Sequence, residues 1–222
     1  MSGKPFLAPW WSIYSLIVLG LPSYLLWAED REKKIFFPET NQPQEVYSTY
    51  ELVPVDSKGL IEGIPIPPFA LTDQNNQPFP TEKLYGKPAI VDFIFTRCPS
   101  ICPTLTMSVR SLQEKIPAEQ ANFISITVDP DYDTPEVLKS YAEKYNADLA
   151  SWSFLTGEPN HIRDTIRNFQ QALEVGALDE AGIPDIKHSQ KLLLVDATGK
   201  IRGFFDSDEA GRNSIIQALN SL

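Results

Sequence analysis

The 222-residue chain has two cysteines, two histidines and two methionines, and no more of any of them. Two cysteines cannot build the multi-bridge framework of a small disulfide-held domain. With 42% hydrophobic and 11% aromatic residues, the chain fills a core without one. Basic residues are also scarce, 19 Lys and Arg against 29 Asp and Glu, a net charge of −10. Residues 1–28 hold one Lys and no acid, so the remainder carries 18 basic against 29 acidic residues, a net of −11. That balance argues against nucleic acid as a partner, because phosphate recognition needs clustered Lys and Arg. Its plain consequence is a soluble surface that resists association. Internal repeats are absent, and so are long uncharged runs, with one exception.

The exception is WWSIYSLIVLGLPSYLLWA, residues 10–28, which is 19 residues without a charge. About 20 apolar residues cross a bilayer core. Trp10, Trp11 and Trp27 stand at its two ends, where interfacial aromatic anchors belong. The rival reading is a cleaved signal peptide, which needs a shorter apolar core and a small-residue cleavage site. Here the run is longer and a bulky Trp27 precedes Ala28. The expectation is an uncleaved transmembrane anchor (10–28) behind a short tail, making up residues 1–28. A linker or extended arm follows over 29–60, rich in charge and proline and lacking any period. The α/β domain occupies 61–222. The soluble part is expected outside the cytoplasm, at the inner membrane and facing the periplasm.

Within that domain the apolar periods alternate. GKPAIVDFIF predicts a buried strand over about 88–95, and NFISITV a second over 122–128. Between them TLTMSVRSLQEKI predicts a helix with Leu105, Val109, Leu112 and Ile116 on one face. DTPEVLKSYAEKY (133–145) predicts a helix capped by Asp133 or Thr134, with Pro135 in its first turn. WSFLTG is a short strand, and residues 158–173 a third helix. Residues 191–205 are a hairpin turning at Asp196–Gly199, and 208–221 a closing helix. The pattern calls for a central mixed sheet flanked by helices. In such sheets the functional site lies beyond the carboxyl ends of the strands. Cys98 and Asp129 both fall there.

The two cysteines lie in FTRCPSICPTLT, four apart and each followed by proline. Cys102 falls at or just before a helix start, where the helix dipole favours a thiolate. A thiolate is both a nucleophile and a metal ligand, so spacing leaves three readings open: structural disulfide, redox pair and metal clamp. A loop this short gains little from closure, which weakens the first. Of the two histidines, His161 reads as a surface or packing residue of the third helix. His188 stands in the loop before the hairpin and could fold back over the cysteines. Two thiolates and an imidazole suit Cu(I), and with one more oxygen ligand Cu(II), whereas structural zinc takes a fourth protein ligand.

VDFIFTRCPSICP, ITVDPDYDTPEVLKSYAEKY, SFLTG and DIKHSQKLLLVDATGKIRGFF occur in that order, and together they resemble the SCO/SenC family of membrane-anchored copper proteins. The resemblance runs over about residues 61–222. It implies a thioredoxin-like fold, a domain facing the periplasm or its equivalent, and a role in assembling cytochrome c oxidase. It implies copper held by Cys98, Cys102 and His188, and delivered to the binuclear copper centre of an oxidase subunit. Asp129 and Asp133 match the family's acidic D-P-x-x-D segment, and Asp185 the acid three before the histidine. Asp129 and Asp185 are expected to order loops or orient ligands, Asp185 by gripping the His188 ring as carboxylates commonly do. Ser100 stands where many relatives carry an acid. With only Met1 and Met107, thioether ligation is not expected.

Three alternatives share the same cysteines. One is a thiol–disulfide oxidoreductase that keeps acceptor cysteines reduced, exchanging with other copper carriers or thiol reductants. One is a copper- or redox-responsive module. The last is a peroxidase, which needs an arginine beside its thiolate. Arg97 is the candidate there, although it reads more simply as an exposed charge at a strand end.

Overall fold

The apolar runs at residues 89–94 and 122–127 pass through the middle of a sheet. The computed structural model describes residues 55–222, apart from 58, 100, 172 and 181. The expected anchor at 10–28 and nearly all of the 29–60 arm lie outside the described residues. Among the described residues no helix is long and apolar enough to cross a membrane.

The chain passes in order through β1 (Ile64–Pro65), β2 (Ala70–Asp73), β3 (Pro78–Pro80), a 3-10 turn (Thr81–Leu84), β4 (Ala89–Ile94) and α1 (Ile101–Lys115). Next come β5 (Asn122–Thr127), α2 (Pro135–Lys144), β6 (Trp152–Thr156) and α3 (Pro159–Asn168). The last elements are β7 (Leu173–Leu178), β8 (Pro184–His188), β9 (Leu192–Val195), β10 (Lys200–Phe205) and α4 (Glu209–Leu219). Eight strands form one sheet in the order β1-β10-β9-β4-β5-β6-β2-β3. β4, β5 and β6 are parallel, and the strands outside them pair antiparallel. Every residue of β4 is buried, as are all but the first of β5. Strands covered on both faces read as unbroken apolar runs. α1 packs on β4, α2 on β6, α3 on β2 and α4 on β10.

The expected face of α1 is the buried one: Leu105, Val109 and Leu112 lie in the core, followed by Ile116. Thr134, and not Asp133, caps α2, its hydroxyl accepting the Val137 N–H at 3.4 Å. The third helix is shorter than its pattern. It ends at Asn168, because Phe169 turns wholly into the core and Gln170 takes a left-handed φ of 59°. The residues beyond it make β7, which pairs antiparallel with β8 as a separate two-stranded sheet. The sequence reading has this stretch as helix end and loop. Nearly all of β7 is exposed, so no apolar alternation marks it as a strand.

One core residue is acidic. Asp92, in the middle of β4, is fully buried; its Oδ1 accepts the Ser125 hydroxyl at 2.5 Å, and that oxygen accepts Trp152 Nε1–H at 2.9 Å. Among the described residues Oδ2 has no hydrogen-bond partner. Burial pushes this carboxyl up to about 7, so the neutral acid is the form that suits the site. Because the folded value lies above the unfolded one, the protonated folded state is favoured. The contribution is complete below about pH 4 and is lost as pH rises through about 7. We expect urea-unfolding stability to fall by a few kcal/mol at most across that window. Asp92→Asn, which stays neutral, should flatten the curve; parallel curves for both proteins would contradict this account.

Candidate metal centre

β4 and β5 are parallel, so their carboxyl ends lie side by side. The loops that leave them carry Cys98 and Asp129. Asp133, with 0% exposure, ties these loops down. Its carboxylate accepts the Thr96 N–H at 3.1 Å, the Thr96 hydroxyl, and the Thr127 hydroxyl at 2.5 Å. Thr127 in turn accepts the Asp129 N–H at 2.9 Å. Thr96 is two residues from Cys98, so the start of the cysteine loop is fixed to the end of β5. Burial raises the Asp133 carboxyl above its ordinary value, against the pull of the Thr127 and Thr96 hydrogen bonds.

The Cys98 N–H closes a turn onto the Phe95 carbonyl at 3.2 Å. Cys102 sits in the first turn of α1, and its N–H points at Cys98 Sγ at 3.5 Å. No disulfide joins the two. Cys102 is fully buried and Cys98 half-buried. His188 is the last residue of β8, paired with Leu173, rather than part of a loop. That strand carries its Nε2 to 3.7 Å from Cys102 Sγ. Its Nδ1 lies 2.9 Å from the Ser189 carbonyl. A carbonyl only accepts, so Nδ1 bears the proton and Nε2 turns a lone pair toward the sulfur. Phe95 packs edge-on against the ring, centroids 6.1 Å apart.

Burial lowers the pKa of His188, with the Ser189 contact opposing, so the imidazole is neutral and able to ligate at pH 7. Burial also drives the Cys102 thiol well above its ordinary value, a backbone hydrogen bond at Phe95 acting against it. The thiolate expected from the helix dipole is therefore not preformed, since desolvation outweighs the partial charge of a helix end. A cation bound at the sulfur would supply the missing stabilisation and displace the proton. The donor set of two thiols and one neutral imidazole is the kind a soft monovalent ion prefers. Among the described residues no three ligating side chains already stand in coordination geometry. Cys102 Sγ and His188 Nε2 stand 3.7 Å apart, and Cys98 Sγ lies 3.5 Å from the Cys102 nitrogen.

Of the two expected aspartates, it is Asp129 that meets the cysteine loop. Asp185 is exposed on β8 and makes no described hydrogen bond to His188; alternation along a strand sends residues three apart to opposite faces. The backbone carbonyl of Ser189 holds the ring instead. Asp129 grips Arg97, with Nη2 at 2.7 Å. Arg97 is half-buried and engaged on several sides, contrary to its reading as an exposed strand-end charge. Its place directly before Cys98 was the one sequence signal of that role. His161 is exposed on α3, in keeping with its reading as a surface residue.

The SCO1/SenC family model matches residues 63–222. The chain belongs to the SCO1/SenC family. It is 32% identical over 139 residues to the SCO1 protein homolog of Bacillus subtilis, covering 61% of this chain and 70% of that one. The structure of Bradyrhizobium japonicum ScoI with copper bound superposes with a TM-score of 0.59 at 27% identity, over 71% of this chain and 98% of that one. BsSco, described as having a disulfide switch and as one of the Sco family of cytochrome c oxidase assembly proteins, gives a TM-score of 0.62 at 30% identity, over 72% and 94%. The mixed α/β fold is thus the thioredoxin-like architecture of Sco structures.

Proposed function

We propose that this SCO1/SenC protein is a copper carrier. It takes up Cu(I) through Cys98, Cys102 and His188 and passes it, by ligand exchange, to the binuclear copper centre of a cytochrome c oxidase subunit. The observation that carries this reading is the 3.7 Å approach of Cys102 Sγ to His188 Nε2, with the other ring nitrogen fixed on a backbone carbonyl. A dithiol reductant has no need of that histidine, whereas a metal clamp does. Copper in ScoI and the assembly role described for BsSco support the same reading. Residues 10–28 would anchor the domain beside its membrane-bound acceptor, on the periplasmic face of the inner membrane.

In this reading Cys98 and Cys102 must both be reduced, so a disulfide between them empties the site. The approach of the Cys102 N–H to Cys98 Sγ keeps the two segments close, and BsSco is described as having a disulfide switch. Thiol–disulfide exchange with the acceptor is therefore the second reading. The two separate in one experiment. The reduced, oxygen-free protein should bind one equivalent of Cu(I) and load an apo oxidase copper domain whose cysteines are already reduced. Cys102→Ser should do neither. Maturation of the acceptor by copper-free protein, together with no Cu(I) binding, would leave the reductase reading in its place.

A further inference from the structure

Arg97 joins three pieces of chain that are distant in sequence. Its Nε and Nη2 both donate to Asp129 Oδ2, at 2.9 and 2.7 Å, in the loop after β5. Its Nη1 donates to the Gly182 carbonyl at 2.9 Å, in the turn between β7 and β8. The guanidinium carbon lies 4.3 Å from the centroid of the Tyr132 ring. The residue itself belongs to the cysteine loop, next to Cys98. A planar fork with several fixed donors can make these bonds at once; a single ammonium cannot reach both oxygens and keep the stacking.

The element gripped at Gly182 is the one that carries His188. The β7–β8 hairpin is not part of the eight-stranded sheet, and most of its residues are exposed. A cavity of about 520 Å³ lies between it and the body of the fold, lined by Val128 and Ile162 on one side and Val175, Leu178 and Ile186 on the other. Close packing therefore does not fix the hairpin along its length, and segments with few buried contacts open at low cost. Arg97 supplies a charge-assisted attachment at the turn, at the opposite end of the hairpin from His188.

We propose that Arg97 is a positioning residue. By bridging Asp129 to the Gly182 carbonyl it latches the hairpin over the cysteine loop, holds His188 against Cys102, and sets how readily the site opens to hand over its ion. The last part rests on the copper reading above; the latch itself does not.

The test uses the full chain in detergent, reduced, with Arg97→Lys and Arg97→Met. Hydrogen–deuterium exchange over residues 173–188 is read without metal, and Cu(I) release to a competing chelator is read with it. Loss of one charge-assisted hydrogen bond should speed both by about tenfold or more. Arg97→Lys keeps the charge beside Asp129, so it should hold its melting temperature near that of the native protein yet fail to restore hairpin protection. Asp129→Asn should have the same effect, and add little to Arg97→Met. Unchanged hairpin exchange in both Arg97 variants overturns the proposal. So does a loss of protection spread evenly over the fold with a matching fall in melting temperature, because Arg97 would then be an ordinary structural residue. If the native protein binds no Cu(I), the copper reading fails, while the exchange data still decide the latch.

Discussion

Replacing His188 by alanine should weaken Cu(I) binding by the reduced protein by more than about 100-fold, since losing even a residue that supports a ligand costs 10- to 100-fold. The reasoning starts from burial. Cys102 is fully enclosed and its thiol holds its proton far more firmly than a solvated one. Nε2 of His188 is the heteroatom donor 3.7 Å from that sulfur, and it is neutral and correctly tautomerised before any ion arrives. Without it, the ion meets two thiols, one of which must ionise in an apolar setting. Loading expels thiol protons, so the apparent affinity of the native protein should rise with pH. Competition titrations against a Cu(I) chelator measure both effects. Equal affinities for the native protein and His188→Ala would remove the histidine from the site.

Asp133→Ala should destabilise the fold by about 3–5 kcal/mol, among the larger losses a single substitution produces. The carboxylate accepts from the Thr96 N–H, the Thr96 hydroxyl and the Thr127 hydroxyl. Truncation strands these donors at a buried junction, and an unsatisfied buried group costs about 1–3 kcal/mol. Rearrangement of the Thr96 hydroxyl recovers part of the sum. The melting temperature should drop by roughly 10 °C for a domain of this size. Cu(I) affinity should fall with it, because Thr96 sets the path of the chain into Cys98. Urea unfolding of both proteins at pH 7 is the check. A loss below about 1 kcal/mol, the value of an ordinary helix cap, would mean that Asp133 does no more than the sequence reading expected.

What could be read from the sequence follows from what sits in local pattern. β4 and β5 are buried on both faces and appear as unbroken apolar runs. α1 shows its core face at helical spacing, and β9–β10 turn at Asp196–Gly199 as the sequence indicates. The edges did not announce themselves. β1 and β3 are the outer strands of the sheet, and they contain Pro65, Pro78 and Pro80. Proline cannot donate to a ladder and is tolerated at an edge, so such strands look like loops. β7 is equally silent, because exposure erases its alternation.

The site divides in the same way. Cys98 and Cys102 announce themselves by spacing. The sequence left His188 open as a third donor and the resemblance singled it out, but its place at the end of a strand was not legible. Asp133 and Thr134 are both plausible caps for α2, and what separates them is Thr96, 37 positions away from Asp133. Arg97 beside Cys98 looks like a surface charge until Asp129 and Gly182, 32 and 85 positions off, are brought to it. Asp185 shows the converse. Its distance of three from His188 invites a carboxylate–imidazole pair, and strand geometry sends the two to opposite faces.

The most direct measurement is X-ray absorption at the copper edge, on the reduced chain loaded with one equivalent of Cu(I). The clamp of Cys98, Cys102 and His188 predicts two sulfur neighbours and one imidazole nitrogen, with the nitrogen lost in His188→Ala. A site with sulfur neighbours alone, or a nitrogen that survives His188→Ala, would contradict it.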